Sequence, residues 1–136
     1  MLRDVEEALR LADVVKLGGD GELEYLRGGN GIEPENFNPW LMAVTSGERG
    51  GSELVGGECC RVRVPAYRVE PPLDTTGAGG DAFMAALLAG LYHSNLLGKM
   101  ELDEESLRRI GRFANLVAAL STTRRGGRGA FQRWRK

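Results

Sequence analysis

The chain has 136 residues, 42% hydrophobic and 27% charged, the composition of an ordinary globular protein and not of a fibrous or largely disordered one. At this length roughly two thirds of the unfolded surface can be buried, enough for one sheet with its covering helices but not for two full domains. Eighteen basic and 19 acidic residues leave a net charge of -1, so no overall field recruits nucleic acid or an anionic membrane.

Leu2, Val5 and Leu9, with Ala8 and Ala12, recur at three- and four-residue steps between charges, which predicts an amphipathic helix over 2–12. Asp4, Glu6 and Glu7 leave no room there for the apolar stretch of a signal peptide, and no apolar run in the chain reaches the roughly 18 residues of a membrane span. A cytoplasmic protein without a membrane partner is expected. Ala12-Asp13-Val14-Val15-Lys16-Leu17 follows as a short β-branched strand. Glu22 to Arg27 has room for a second short helix, stopped by Gly28-Gly29, and 28–39, rich in Gly, Asn and Pro, reads as a loop.

Trp40 to Thr45 is continuously apolar, as a parallel strand buried on both faces would be. Ser52 to Val55 and Cys59 to Val64, separated by Gly56-Gly57, predict a β-hairpin. Cys59 and Cys60 are adjacent, which fits neither a zinc-ligand pair nor a Cys-x-x-Cys motif. On a strand, one of them is expected to face the core and the other solvent. A Gly-rich turn over Leu73 to Asp81 runs into a helix that continues to about Tyr92. Phe83, Leu87, Leu88 and Leu91 give that helix an apolar stripe, and its alanines keep it narrow. His93, the only histidine, follows the helix end and reads as a surface residue. Asp103 caps a last helix whose buried face is Leu107, Ile110, Ala114, Val117 and Ala118. Strands alternating with helices imply an α/β fold with a largely parallel sheet.

The chemistry concentrates at the Gly-rich turn. A glycine-lined helix start exposes unpaired N–H groups and the positive end of the helix dipole to an anion. Gly77, Ala78, Gly79 and Gly80 fit that description. A carboxylate at Asp81 could accept a hydroxyl proton while the amides stabilise charge on a transferring phosphoryl group. A dinucleotide fingerprint is a poorer reading, because Pro71 to Thr76 intervenes before the turn and no acid-terminated strand follows. No Gly-Lys-Ser/Thr follows that would make a Walker-A loop.

Asp74-Thr75-Thr76-Gly77-Ala78-Gly79-Gly80-Asp81-Ala82-Phe83 closely resembles the second signature of the PfkB/ribokinase family of carbohydrate kinases, D-T-x-G-A-G-D-x-F. Ala12 to Leu17 with Glu22-Leu23, Val44 to Gly50, and Phe113-Ala114-Asn115 with Ala119 to Gly126 are similar to fructokinase segments in family order. The resemblance implies a partial ribokinase-like fold over 1–126, the ATP-binding C-terminal half, followed by a basic tail over 127–136. It implies ATP-dependent phosphorylation of a sugar hydroxyl, with fructose as the expected sugar. Asp81 would be the base, and Gly77, Ala78, Gly79 and Gly80 the anion hole. Thr45, Ser46, Gly47, Glu48, Arg49 and Gly50 would line the ATP site, with Asn115 near the nucleotide. Glu22 matches the acid of the N-x-x-E element that acts on Mg2+ and phosphate, and Asp74 and Thr76 match ligands of the monovalent cation, K+, that some members bind.

The sequence departs from the pattern in two places. Gly79-Gly80 stand where the signature has one glycine, so the turn is expected to bulge or Asp81 to rotate, by about 100° per inserted helical residue. Gly18 replaces the Asn or Ser of N-x-x-E, with one residue too many before Glu22. Family members are much longer, and their N-terminal half supplies the sugar-binding residues, so such a half, or a second copy, is the expected partner. The rival reading is a catalytically incompetent nucleotide- or RNA-binding fragment. The stretch from Arg124 to Lys136, with its six basic residues, Phe131 and Trp134, could stack on and pair with RNA. A solvated tail is the plainer account, and nucleic acid is not expected as a partner.

Overall fold

The computed structural model describes residues 2–46, 51–57, 60–66, 78–98 and 102–121. Within them the elements are α1 (Leu2–Leu11), β1 (Val14–Gly18), β2 (Leu41–Thr45), β3 (Ser52–Gly56), β4 (Cys60–Val64), α2 (Ala78–His93) and α3 (Glu104–Ser121). No described helix is long and apolar enough to cross a membrane.

The strands form one sheet in the order β1-β2-β3-β4. β1 runs parallel to β2, from Val14 opposite Leu41 to Gly18 opposite Thr45. β2 with β3 and β3 with β4 are antiparallel. The sheet is therefore mixed, where the alternation of helices and strands suggested a largely parallel one. The reason is connection length. β1 reaches β2 through residues 19–40, long enough for a crossover, whereas β2 returns as β3 through residues 46–51, too short for the dozen or more residues a parallel crossover needs. The predicted hairpin is present, and Gly57, at φ 68°, supplies the left-handed residue of its turn.

Two cores lie on opposite faces. On one, α2 and α3 bury Phe83, Leu87, Leu107 and Ile110 against Leu41, Ala43, Leu54 and Val62. On the other, Leu9 of α1, with Leu26 and Ile32, covers Val15, Leu17 and Met42. β2 is thus covered on both sides, and Leu41, Met42 and Ala43 are at most 1% exposed, as its unbroken apolar run predicts. Cys60 is half-buried against the first core. Cys59 lies outside the described residues.

Two helical expectations need correction. Leu88 does not join the buried stripe of α2: it is 40% exposed, because Phe83, Leu87 and Leu91 already define the inward line and Leu88 lies about 100° further round. Ala82 and Ala86 are buried in its stead. The short helix over 22–27 is instead a pair of wide π-type turns, Gly19–Leu23 and Tyr25–Gly29. The glycines at both ends of that segment disfavour regular α-helix, and π-turns recur at functional sites. In α3 the Asp103 cap is realised: Oδ1 accepts from the N–H of Ser106 at 2.7 Å.

Candidate active site

Because β1 and β2 are parallel, their C-terminal ends, Gly18 and Thr45, lie side by side. Gly19 then crosses the end of β2: a Cβ there would lie 3.3 Å from the Thr45 carbonyl oxygen and 3.4 Å from Val44 Cγ1. Ser46 N–H donates to Gly51 O at 3.2 Å, drawing together the two ends of the loop over 47–50. Gly47, Glu48, Arg49 and Gly50 themselves lie outside the described residues, as do Gly77, Asp74 and Thr76.

The first turn of α2 comes to the same end of the sheet. A Cβ on Gly80 would lie 2.9 Å from Nζ of Lys16 on β1. The helix begins at Ala78, so Ala78, Gly79 and Gly80 are its first residues, and the turn expected before them lies outside the described residues. Four N–H groups at such a start have no partner one turn back, and the helix dipole adds positive potential there. Asp81 belongs to this first turn, and its side chain is exposed.

Glu22, carried by the first π-type turn, folds back over the end of β1, where Oε1 accepts from the Gly18 N–H at 3.2 Å. α3 reaches this end too. Asn115, 7% exposed, donates from Nδ2 to the carbonyls of Val64 and Pro65. Val64 pairs with Ser52, which in turn pairs with Thr45. The structure thus brings Glu22, Thr45, Ser46, Gly80, Asp81 and Asn115 to one end of one sheet, although they span most of the sequence.

Two residues here escape a reading of the sequence alone. Lys16 is the only charge in β1, and strand parity is the signal that could find it: Val15 and Leu17 face α1, so Lys16 must face α2. Ser52, 3% exposed, has an Oγ without a hydrogen-bond partner among the described residues. It offers no sequence signal, since a serine at a strand start is commonplace. Among the described residues, no three His, Cys, Asp or Glu side chains cluster as a metal cage.

The sequence profile of the pfkB family of carbohydrate kinases matches residues 1–133. The chain belongs to that family. It is 45% identical over 126 residues to a protein of Pyrococcus horikoshii named as a sugar kinase, covering 93% of this chain and 36% of that one. It is 37% identical over 132 residues to a fructokinase of Klebsiella pneumoniae, covering 92% and 40%. Among solved structures, aminoimidazole riboside kinase from Salmonella enterica, complexed with aminoimidazole riboside and an ATP analogue, superposes with a TM-score of 0.68 at 24% identity, covering 96% of this chain and 43% of that one. That likeness is one of fold, and this pfkB chain has the α/β, ribokinase-like architecture. It spans 36% and 40% of the lengths of the two curated relatives.

Proposed function

We propose that this pfkB chain carries the ATP site and catalytic base of a kinase that phosphorylates a sugar hydroxyl. One observation carries the reading: an exposed carboxylate, Asp81, stands in the first turn of a helix whose free amides open at the C-terminal ends of two parallel strands. Catalysis of phosphoryl transfer is mostly positioning and charge stabilisation. First-turn amides meet the charge on the transferring group's oxygens, and Asp81 accepts the proton of the attacking hydroxyl.

ATP is the donor in this reading, supported by the ATP analogue in the Salmonella kinase of the same fold. Mg2+ in kinase sites is usually held by one or two carboxylates together with substrate phosphates and waters. Glu22, at the end of β1 and outside any preformed cage, suits that mode, and the metal would neutralise phosphate charge there. Fructose is the proposed sugar, supported by the Klebsiella fructokinase. The Pyrococcus sugar kinase is the more similar of the two, so the sugar-kinase class stands on more than the choice of fructose.

The test is fructose-dependent ADP release from ATP and Mg2+ by the purified chain. Asp81→Asn should lower turnover by roughly 10²–10⁴-fold, the usual contribution of a positioned general base. Unchanged turnover in that variant would remove Asp81 from the chemistry. Stabilisation by ATP with no turnover in the parent chain would reduce the function to nucleotide binding.

A further inference from the structure

The hairpin of α2 and α3 holds a cavity at the end away from Asp81. α2 runs from Ala78 to His93, so His93 lies about 18 Å from Asp81 along the helix axis at about 1.5 Å per residue. There the last turn of α2 and the first turns of α3 enclose about 330 Å³, a size at which pockets begin to take organic ligands. Part of the lining is apolar: Leu96 and Ile110 are buried, and Phe113, 42% exposed, borders the opening. The rest is polar, from His93, Ser94, Ser106 and Arg109. Among the described residues no acid lines the cavity, and Arg109 has no ion pair or hydrogen bond. Its neighbour Arg108 differs, being committed to Glu104 at 2.8 Å. The carbonyls at the end of α2, which would repel an anion, are already engaged: Gly90, Tyr92 and Leu91 accept from the N–H groups of Ser94, Asn95 and Leu96, around Asn95 at φ 57°. A second cavity, beside the β3–β4 turn, offers no such free charge, because Glu35 and Arg61 in its lining pair with each other at 2.7 Å.

We propose that this cavity binds a small organic anion, a flat apolar body carrying one carboxylate or phosphate group. Arg109 takes the charged group, since a planar guanidinium donates in parallel pairs to either oxyanion, and the hydroxyls of Ser94 and Ser106 supply further donors. The body lies against Ile110 and Phe113, where it removes apolar surface from water and sets a ring beside a ring. An inorganic ion would leave that wall wet, and a neutral ring would leave the guanidinium without a counter-charge. A ligand held this far from Asp81 is not a reactant there, and none of the cavity's residues belongs to the proposed ATP site. The site therefore stands independently of the kinase reading.

Phenyl phosphate, benzoate, inorganic phosphate and benzyl alcohol are titrated into the isotope-labelled chain and followed by amide chemical shifts. Phenyl phosphate or benzoate should bind with a Kd of about 1 mM or tighter, moving the amides of residues 89–96 and 106–113, and the tighter of the two identifies the group that Arg109 accepts. Inorganic phosphate and benzyl alcohol, each lacking one half of the ligand, should bind about tenfold more weakly or worse. Arg109→Gln should weaken the aromatic anions about tenfold, the size of one charge-assisted hydrogen bond, and bring them level with benzyl alcohol. Phe113→Ala should weaken them without changing the response to inorganic phosphate. Both side chains are exposed, so neither replacement opens the core. No saturable binding of either aromatic anion, shifts confined to residues 78–81, or an affinity indifferent to Arg109→Gln would overturn the proposal. Benzyl alcohol binding as tightly as the anions would do so as well, since the cavity would then be an apolar hole that does not select for charge.

Discussion

Asn115 binds Val64 across the boundary between α3 and the sheet: Nδ2 donates to the Val64 carbonyl at 3.2 Å and to that of Pro65 at 3.1 Å. The tie falls where β4 ends, so it fixes the last strand to the helix that covers it. Family resemblance places this residue near the nucleotide, and the structure gives it a share in holding the sheet end that would face one. Asn115→Ala takes this donor from the carbonyls of buried Val64 and exposed Pro65, and the loss at the buried one costs about 1–3 kcal/mol. Urea unfolding followed by circular dichroism should show a lower midpoint with an unchanged slope. An unaltered midpoint would mean that the tie adds nothing to the fold.

Two glycines on facing helices should respond oppositely to the same substitution. In α3, a Cβ on Gly111 would lie 2.7 Å from Val64 Cγ2 and 2.8 Å from Leu54 Cδ1, in a core with no slack, so Gly111→Ala should destabilise by about 1–3 kcal/mol. In α2, a Cβ on Gly90 would meet Phe113 and Ile110 at 3.5 Å or more, which is ordinary contact. Gly90→Ala should therefore stabilise by up to about 1 kcal/mol through helix propensity. Thermal melts of the two variants would decide it, and shifts of the same sign would refute the packing argument.

Much of this arrangement is legible in the residues, and what is not has a physical cause. Periodicity alone places α1, α2, α3 and the hairpin, because each buries a single face and the spacing of its apolar residues records that face, as Leu107, Ile110 and Ala114 do in α3. The Asp103 cap is readable because a side-chain oxygen has one local task at a helix start. The π-type turns over 19–29 are not, since glycines report freedom without saying which conformation uses it. The antiparallel return of β3 is missed when fold class is judged from the order of elements rather than from the length of the connection. Of the site, Asp81, Ala78, Gly79 and Gly80 can be placed at a helix start from local pattern. Ser52 cannot be placed there, and for Lys16 strand parity gives the face but not the neighbour, because neighbours are set by strand register and, for Lys16, by a helix more than sixty residues further along the chain.

Ser52 offers a test of a cost rather than a contribution. Its hydroxyl is buried and, among the described residues, unsatisfied, and such a group forfeits about 1–3 kcal/mol of hydration. Ser52→Ala removes it with little loss of volume, so the variant should be more stable by about 1 kcal/mol in the absence of ligand. Chemical denaturation of the ligand-free chain provides the measurement. A less stable variant would show that the hydroxyl already has a partner in solution.

The surface pair Arg27–Glu33 should leave a pH signature. Arg27 Nε lies 2.6 Å from Glu33 Oε2 and its Nη2 donates to Oε1 at 2.9 Å, and the guanidinium holds the Glu33 carboxyl below its ordinary value of 4.5. Burial opposes that shift, while the Glu35 N–H and the charges of Arg27 and Arg61 reinforce it. Glu35, 3.8 Å from Arg27, and Arg61, paired with both Glu35 and Glu53, complete the charged surroundings and link this loop to the hairpin. A carboxyl whose pKa is depressed by folding stabilises the protein above its unfolded pKa and loses that contribution as the pH falls through the folded value. The window is therefore the acid side of 4.5. Both side chains are about a third or more exposed, so the pair is worth at most about 1 kcal/mol. Arg27→Gln should be less stable than the parent at neutral pH and low salt, and the difference should shrink as the pH drops below that window or as salt is raised. A difference in midpoint that stays constant from neutral pH to pH about 3 would assign the effect of Arg27 to packing of its stem and not to its charge.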